Sequence, residues 1–236
     1  MELINANKFY KKDNRKILIL KNANIKFELG KIYMIIGESG AGKTTLINIL
    51  GLLDKLNDGS LIIDGNDVTN YNDTQLSKLR LEKIGLIFQD YYLNPRLTAY
   101  ENVYIATLIN NKIKDIDRDE IIHKSFEYFE IEERMQHYPS ELSGGEQQRV
   151  CIARSLINNP DYVLADEPTG SLDPKNASKV MQILKRLSKE GKCIILVTHD
   201  YTNVQYADYI YSLKDGVLTK EDKNDFSKKY NEKKYN

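Results

Sequence analysis

Gly37-Glu38-Ser39-Gly40-Ala41-Gly42-Lys43-Thr44 matches the pattern G-x-x-x-x-G-K-S/T at every fixed position. Before it stands Ile32-Tyr33-Met34-Ile35-Ile36, a continuous apolar run of the kind that forms a buried strand. After it, a helix starting near Gly42 places Leu46, Ile49 and Leu50 on one face. Strand, glycine loop and helix in that order is the context in which this pattern binds phosphate. Glycines let backbone N–H groups approach a ligand, and a helix N-terminus adds free donors and partial positive charge. Glu38, Ser39, Gly40, Ala41 and Gly42 would wrap the phosphates through the main chain, with Thr45 continuing the contact into the helix. Lys43 would offset charge on the β and γ phosphates, and the Thr44 hydroxyl would reach Mg²⁺.

Far downstream, Leu142-Ser143-Gly144-Gly145-Glu146-Gln147-Gln148-Arg149 offers a second glycine turn that opens a helix. Ser143 can cap that helix, and Glu146, three residues on, completes a capping box. Taken alone, Ser-Gly-Gly reads first as a flexible polar turn. Beside the upstream loop it becomes a second place where one chain can face an anion.

Two more buried-strand candidates are Tyr162-Val163-Leu164-Ala165 and Cys193-Ile194-Ile195-Leu196-Val197. Between them lies a helix that Pro174 opens, with Val180, Ile183, Leu184 and Leu187 as its stripe. This order implies an α/β fold built on a parallel sheet with right-handed crossovers. Asp166 and Glu167 stand at the carboxyl end of the first strand, the edge where open α/β sheets gather ligands. Asp166 would hold Mg²⁺, directly or through water, and Glu167 would polarise an attacking water. An N-cap or a salt bridge is the structural alternative for both acids. His199 follows the second strand and could donate a hydrogen bond to a γ-phosphate, although a lone histidine is more often structural. His123, beside an apolar stripe, and His137, before Tyr138-Pro139, read as structural. Gln89 follows the short strand Ile84-Gly85-Leu86-Ile87-Phe88, where its amide could touch Mg²⁺ and the attacking water. Tyr10 could stack on an adenine ring, or be a core or surface residue like most of the 16 tyrosines.

Residues 2–29 read as short extended segments around a polar turn at Lys11–Arg15, and Leu61-Ile62-Ile63 before Asp64-Gly65 suits an antiparallel segment. From about residue 90 to 141 the pattern is helical, with Ile122, Phe126 and Phe129 on one stripe. One domain over residues 1–220 is expected, followed by a polar, solvated and flexible tail at 221–236. Hydrophobic residues make up 41% of the chain, enough for a sizeable core. Lys+Arg and Asp+Glu are 34 each, so no strong basic field is present and no nucleic-acid partner is expected. Cys151 and Cys193 lie in apolar runs and read as buried thiols of a reducing compartment. No secretory signal and no apolar run near the roughly 18 residues that span a bilayer are visible. A cytoplasmic location is expected, with any membrane role through a partner.

In this order, Gly37–Thr44, Gln89, Leu142–Gln148, Tyr162–Glu167, Ser171-Leu172-Asp173 and His199 together resemble the ATP-binding-cassette ATPases, over essentially residues 2–220. The resemblance implies a phosphate-loop NTPase core, an N-terminal antiparallel β subdomain and an inserted α-helical subdomain, working on ATP and Mg²⁺. It assigns Tyr10 to adenine stacking, Gln89 to a loop that senses a membrane partner, and His199 to a γ-phosphate switch. Asp173 would communicate between protomers. Ser143, Gly144, Gly145 and Glu146 would contact ATP held by the other protomer of a nucleotide-dependent homodimer.

A narrower likeness is carried by Asn48–Asp54, Ile84–Gln89, Leu97–Val103 and Ala165–Gly170. These stretches are similar to ATPases of lipoprotein release, macrolide efflux, antimicrobial-peptide export and cell division. The likeness implies an ATP-hydrolysing subunit on the inner face of the cell membrane, held there by a separate integral membrane permease. Its cargo would be lipophilic, peptide or drug-like; alternatively, as in the cell-division relatives, it would drive a signalling complex that transports nothing. Residues 90–96 are more polar and aromatic than this subfamily leads one to expect.

Overall fold

The computed structural model describes residues 1–12 and 15–223, so the tail expected at 221–236 lies outside the described residues from 224 onward. In chain order the elements are β1 (Glu2–Lys12), β2 (Arg15–Lys26), β3 (Ile32–Ile36), α1 (Lys43–Leu50), β4 (Asp58–Ile63), β5 (Asn66–Asp67), α2 (Asp73–Lys83) and β6 (Ile84–Ile87). Then follow α3 (Ala99–Leu108), α4 (Asp115–Tyr128), α5 (Gly144–Leu156), β7 (Tyr162–Asp166), α6 (Pro174–Lys189), β8 (Cys193–Thr198), β9 (Tyr209–Lys214) and β10 (Val217–Glu221).

The strands form two sheets. An antiparallel sheet has the order β2-β1-β4-β5, and a larger sheet has the order β10-β9-β3-β8-β7-β6. In the larger sheet β9, β3, β8, β7 and β6 run parallel, and only β10 is antiparallel to its neighbour. The parallel strands are apolar throughout because both faces are covered. Successive side chains of a strand point to opposite faces, and here they enter two different cores. Ile32, Met34 and Ile36 of β3 join Val163 and Ala165 of β7 and Ile194 and Leu196 of β8 in a core shared with α3 to α6. Tyr33, Ile35, Leu164, Ile195 and Val197 join α1 and the antiparallel sheet in the other. The two thiols are buried and free, Cys151 in the first core and Cys193 in the second.

Three features differ from the sequence reading. The short extended segments of residues 2–29 are two long strands, β1 and β2, paired antiparallel with Leu3, Ala6, Leu20 and Ala23 holding the core, and residues 13 and 14 of the expected polar turn lie outside the described residues. The helical region begins at Ala99 rather than near residue 90; Thr98 caps α3 in a capping box with Glu101, and most of residues 88–98 form irregular chain. Between β5 and β6 lies α2, a helix with Leu76 as its buried residue and an Asn72–Gln75 capping box.

Candidate functional site

The carboxyl ends of β3, β6, β7 and β8 open onto a cavity of about 600 Å³. Ser39, Gly40 and Gly42 to Thr45 line it after β3, Gln89 after β6, Asp166 and Glu167 at the end of β7, and His199 after β8. Most of the residues expected to share one site are thus brought together by the strand order.

The glycine loop is shaped by its own lysine. Lys43 Nζ, 7% exposed, donates to the carbonyls of Gly37 at 2.8 Å and Glu38 at 3.1 Å. Gly42, at φ 98°, could not be replaced freely, since a Cβ there would lie 2.6 Å from Ile19 Cγ2. Ile19, on β2, also lines the cavity, so the antiparallel sheet supplies an apolar wall. Asp166 is 9% exposed, and burial pushes its carboxyl above the usual range while a hydrogen bond from Thr44 acts the other way. The Thr44 hydroxyl and the Asp166 carboxylate are hard oxygen donors set side by side, a pair that fits Mg²⁺.

Glu167 sits in the left-handed region at φ 47°, a strained backbone for a residue other than glycine. Its carboxylate is fixed on several sides. Thr198 Oγ1 donates to Oε2 at 2.7 Å, the His199 N–H donates to Oε1 at 3.0 Å, and His199 Nδ1 lies 2.8 Å from Oε1. Lys43 Nζ stands 3.8 Å away. The arrangement can hold a carboxylate still, with a histidine ring and an ammonium on either side. Thr198 is a site residue that the sequence reading missed; its place between an apolar strand and His199 was the available signal.

Among the described residues lining this cavity, none of Ser143, Gly144, Gly145 or Glu146 is present. They open α5 elsewhere on the surface. Ser143 is the N-cap, its N–H donating to Glu146 Oε2 at 2.8 Å. Arg134 binds the same carboxylate at 2.7 Å and, with Ser143, brings the Glu146 carboxyl down to about 2. Glu146 therefore faces its own chain. A Cβ on Gly145 would lie 2.5 Å from Asn176 Oδ1, so this glycine packs closely on the start of α6 and a larger residue would displace the Asn176 side chain. Asp173 caps α6 by accepting from the N–H groups of Lys175 and Asn176, a local use of the carboxylate assigned to communication between protomers.

Tyr10 does not line the cavity. Its hydroxyl donates to Asp54 Oδ2 at 2.6 Å, which leaves the ring partly exposed on β1. His123 lies on α4 near Asp119, and His137 follows α4 without reaching the cavity. Beyond Gln89 the chain is tied down by residues with no sequence signal. Arg154 of α5 donates to the carbonyls of Tyr91 and Tyr92 at 2.8 and 2.6 Å, and the Tyr91 hydroxyl lies 3.0 Å from Ser171 Oγ. Tyr92 itself is 67% exposed, its ring edge-on to Phe88.

Residues 20–170 match a family described as ABC transporter. The chain is similar to an uncharacterized ABC transporter ATP-binding protein, MJ0796, of Methanocaldococcus jannaschii, at 42% identity over 94% of this chain and 97% of that one. It is also 39% identical to the macrolide export ATP-binding/permease protein MacB of a Shewanella species, covering 94% of this chain and 34% of the relative. Among solved structures it is similar to a dimeric post-hydrolysis state of the cassette MJ0796 bound to ADP and Pi. The TM-score is 0.85 at 40% identity, over 93% of this chain and 97% of that one.

Proposed function

This chain belongs to the ABC transporter family of ATP-binding proteins and is an ATPase, and from that premise we propose that it powers a separate membrane permease as one half of a nucleotide-dependent homodimer. The observation that carries the reading is the separation of the two glycine turns: the loop at Gly37–Thr44 lines the cavity, and the turn at Ser143–Glu146 does not. A two-fold pair sets each turn against the cavity of the other chain. A similar cassette has been solved as a dimer with ADP and Pi.

In this reading the phosphates of ATP lie along the N–H groups from Gly37 to Thr45, with Lys43 leaving its carbonyl partners to meet them. Mg²⁺, held by Thr44, Asp166 and Gln89, would neutralise phosphate charge. Glu167 orients the attacking water and accepts its proton, and His199 holds the γ-phosphate. Ser143, Gly144 and Gly145 complete the site from the partner; Glu146 positions Ser143 rather than touching the nucleotide. Tyr10 stacks on adenine once its ring turns from Asp54, and Asp173 fixes the start of α6 at the dimer face.

The permease would dock where Tyr92 is exposed, and the Tyr91 and Arg154 bonds would carry its position to α5 and Ser171. Among the described residues no helix is long and apolar enough to cross a membrane, so attachment to the inner membrane face would come through that partner. The relative named for macrolide export supports a drug-like or lipophilic cargo. Transport of such a cargo in vesicles holding both proteins separates this reading from a signalling complex that moves nothing.

Two measurements test the parts. Lys43→Ala should weaken ATP binding by at least about tenfold in calorimetry, the worth of one charge-assisted contact. Unaltered affinity would remove the phosphate-loop assignment. Tyr91→Phe should leave ATP affinity alone and speed backbone hydrogen exchange over residues 90–96 by about two- to tenfold, the scale of one neutral hydrogen bond. Unchanged exchange would mean that the hydroxyl does not anchor this loop.

A further inference from the structure

A second cavity, of about 330 Å³, lies between the end of α4, α5 and α6, and shares no residue with the nucleotide cavity. Three cations line it: Arg149 from α5, and Lys179 and Arg186 from α6. Among the described residues Glu130 is the one acid in the lining, and Tyr128 forms a shelf. Arg186 stacks on the Tyr128 ring at 3.8 Å and donates through Nη2 to the Tyr128 carbonyl at 2.7 Å, so its position is fixed. Arg149 is the informative residue. Its Nε is buried and has no hydrogen-bond partner among the described residues. A buried guanidinium N–H without an acceptor is unfavourable, and guanidinium groups recognise oxyanions through paired N–H donors. Three cations against one acid leave net positive charge in a concave space, where a compact anion is held more strongly than on open surface.

We propose that this groove is a binding site for a phosphate group, with the Arg149 guanidinium as a donor, Lys179 as a mobile counter-charge and Arg186 as a fixed wall. The group could be free phosphate or the headgroup of an anionic phospholipid. Arg149 closes the motif that faces the partner's nucleotide, so occupancy would act on α5 directly.

The test uses the full chain saturated with a non-hydrolysable Mg-ATP analogue, so that the γ-phosphate position of the nucleotide site is already filled. Inorganic phosphate, titrated at constant ionic strength, should shift the Arg149 Nε–H resonance saturably. Lys179→Gln, an exposed substitution that the fold tolerates, should raise the apparent Kd roughly tenfold. Glu130→Gln should lower it by removing repulsion. Vesicles with and without phosphatidylglycerol distinguish the sources: sedimentation with the anionic vesicles that Lys179→Gln abolishes identifies a lipid headgroup, and a response to phosphate alone identifies a soluble ligand. A resonance that stays still with both phosphate and vesicles, or that moves equally with chloride, overturns the proposal.

Discussion

Glu167→Gln is expected to leave a protein that binds ATP, pairs with itself and hardly hydrolyses. The carboxylate is nearly buried at 8% exposure and is held by Thr198 Oγ1, the His199 N–H and the His199 ring. An amide of the same shape keeps the acceptor oxygen for the His199 N–H, and its NH₂ can donate to Thr198 Oγ1, since a hydroxyl serves in either direction. The fold should therefore survive. What is lost is the negative charge that draws a proton from water, a contribution of about 10² to 10⁴ in rate. With the chemical step blocked, ATP stays between the two chains. Size exclusion in Mg-ATP should show a dimer that the wild type forms only transiently. Hydrolysis at the wild-type rate would show that Glu167 is not the base.

Ser143→Arg carries the second large effect, and its most telling form is a mixing experiment. Alone, the variant loses an N-cap worth about 1 kcal/mol and places a bulky cation where the turn should meet a phosphate. ATP affinity should match wild type, because Ser143 lies outside its own chain's cavity, and hydrolysis should fall to background. Lys43→Ala should be inactive through the opposite half of the site. Equal amounts of the two variants form mixed dimers in which one composite site carries both lesions and the other carries none. Activity should return on mixing, up to roughly a quarter of wild type if chains pair at random and sites act independently. Two dead proteins that stay dead together, although shown to associate, would mean that each chain completes its own site.

How much of this was legible beforehand depended on whether the signal was local. The buried strands are unbroken apolar runs, and their carboxyl ends had to meet once the sheet was parallel, which is why Thr44, Gln89, Asp166, Glu167 and His199 fall into one cavity. The capping box of Ser143 and Glu146 is likewise a spacing rule that the structure repeats. Helix α2 was hidden because Leu76 alone is buried along it, so no apolar stripe marks it. Strand β9 had its signal, the apolar Tyr209-Ile210-Tyr211 and Leu213 before the turn Asp215-Gly216. The contacts around Tyr91 could not be read at all, because Ser171 and Arg154 are brought to it by the sheet order and by no pattern near it. The hydrogen bond from the Tyr10 hydroxyl to Asp54 was equally unreadable, because the antiparallel sheet brings together residues far apart in the chain.

The alternation of the central strands between two cores has a consequence for how such a protein changes over generations. The helix that opens at Lys43 rests in one core, and the helix that opens at Gly144 rests in the other. Under the proposed docking, substitutions among the helices of the second core would alter how the chain meets a membrane partner while α1, which carries Lys43 and Thr44, keeps its own packing. On that reading recognition would drift while chemistry stood still, and one engine would be matched to many different machines.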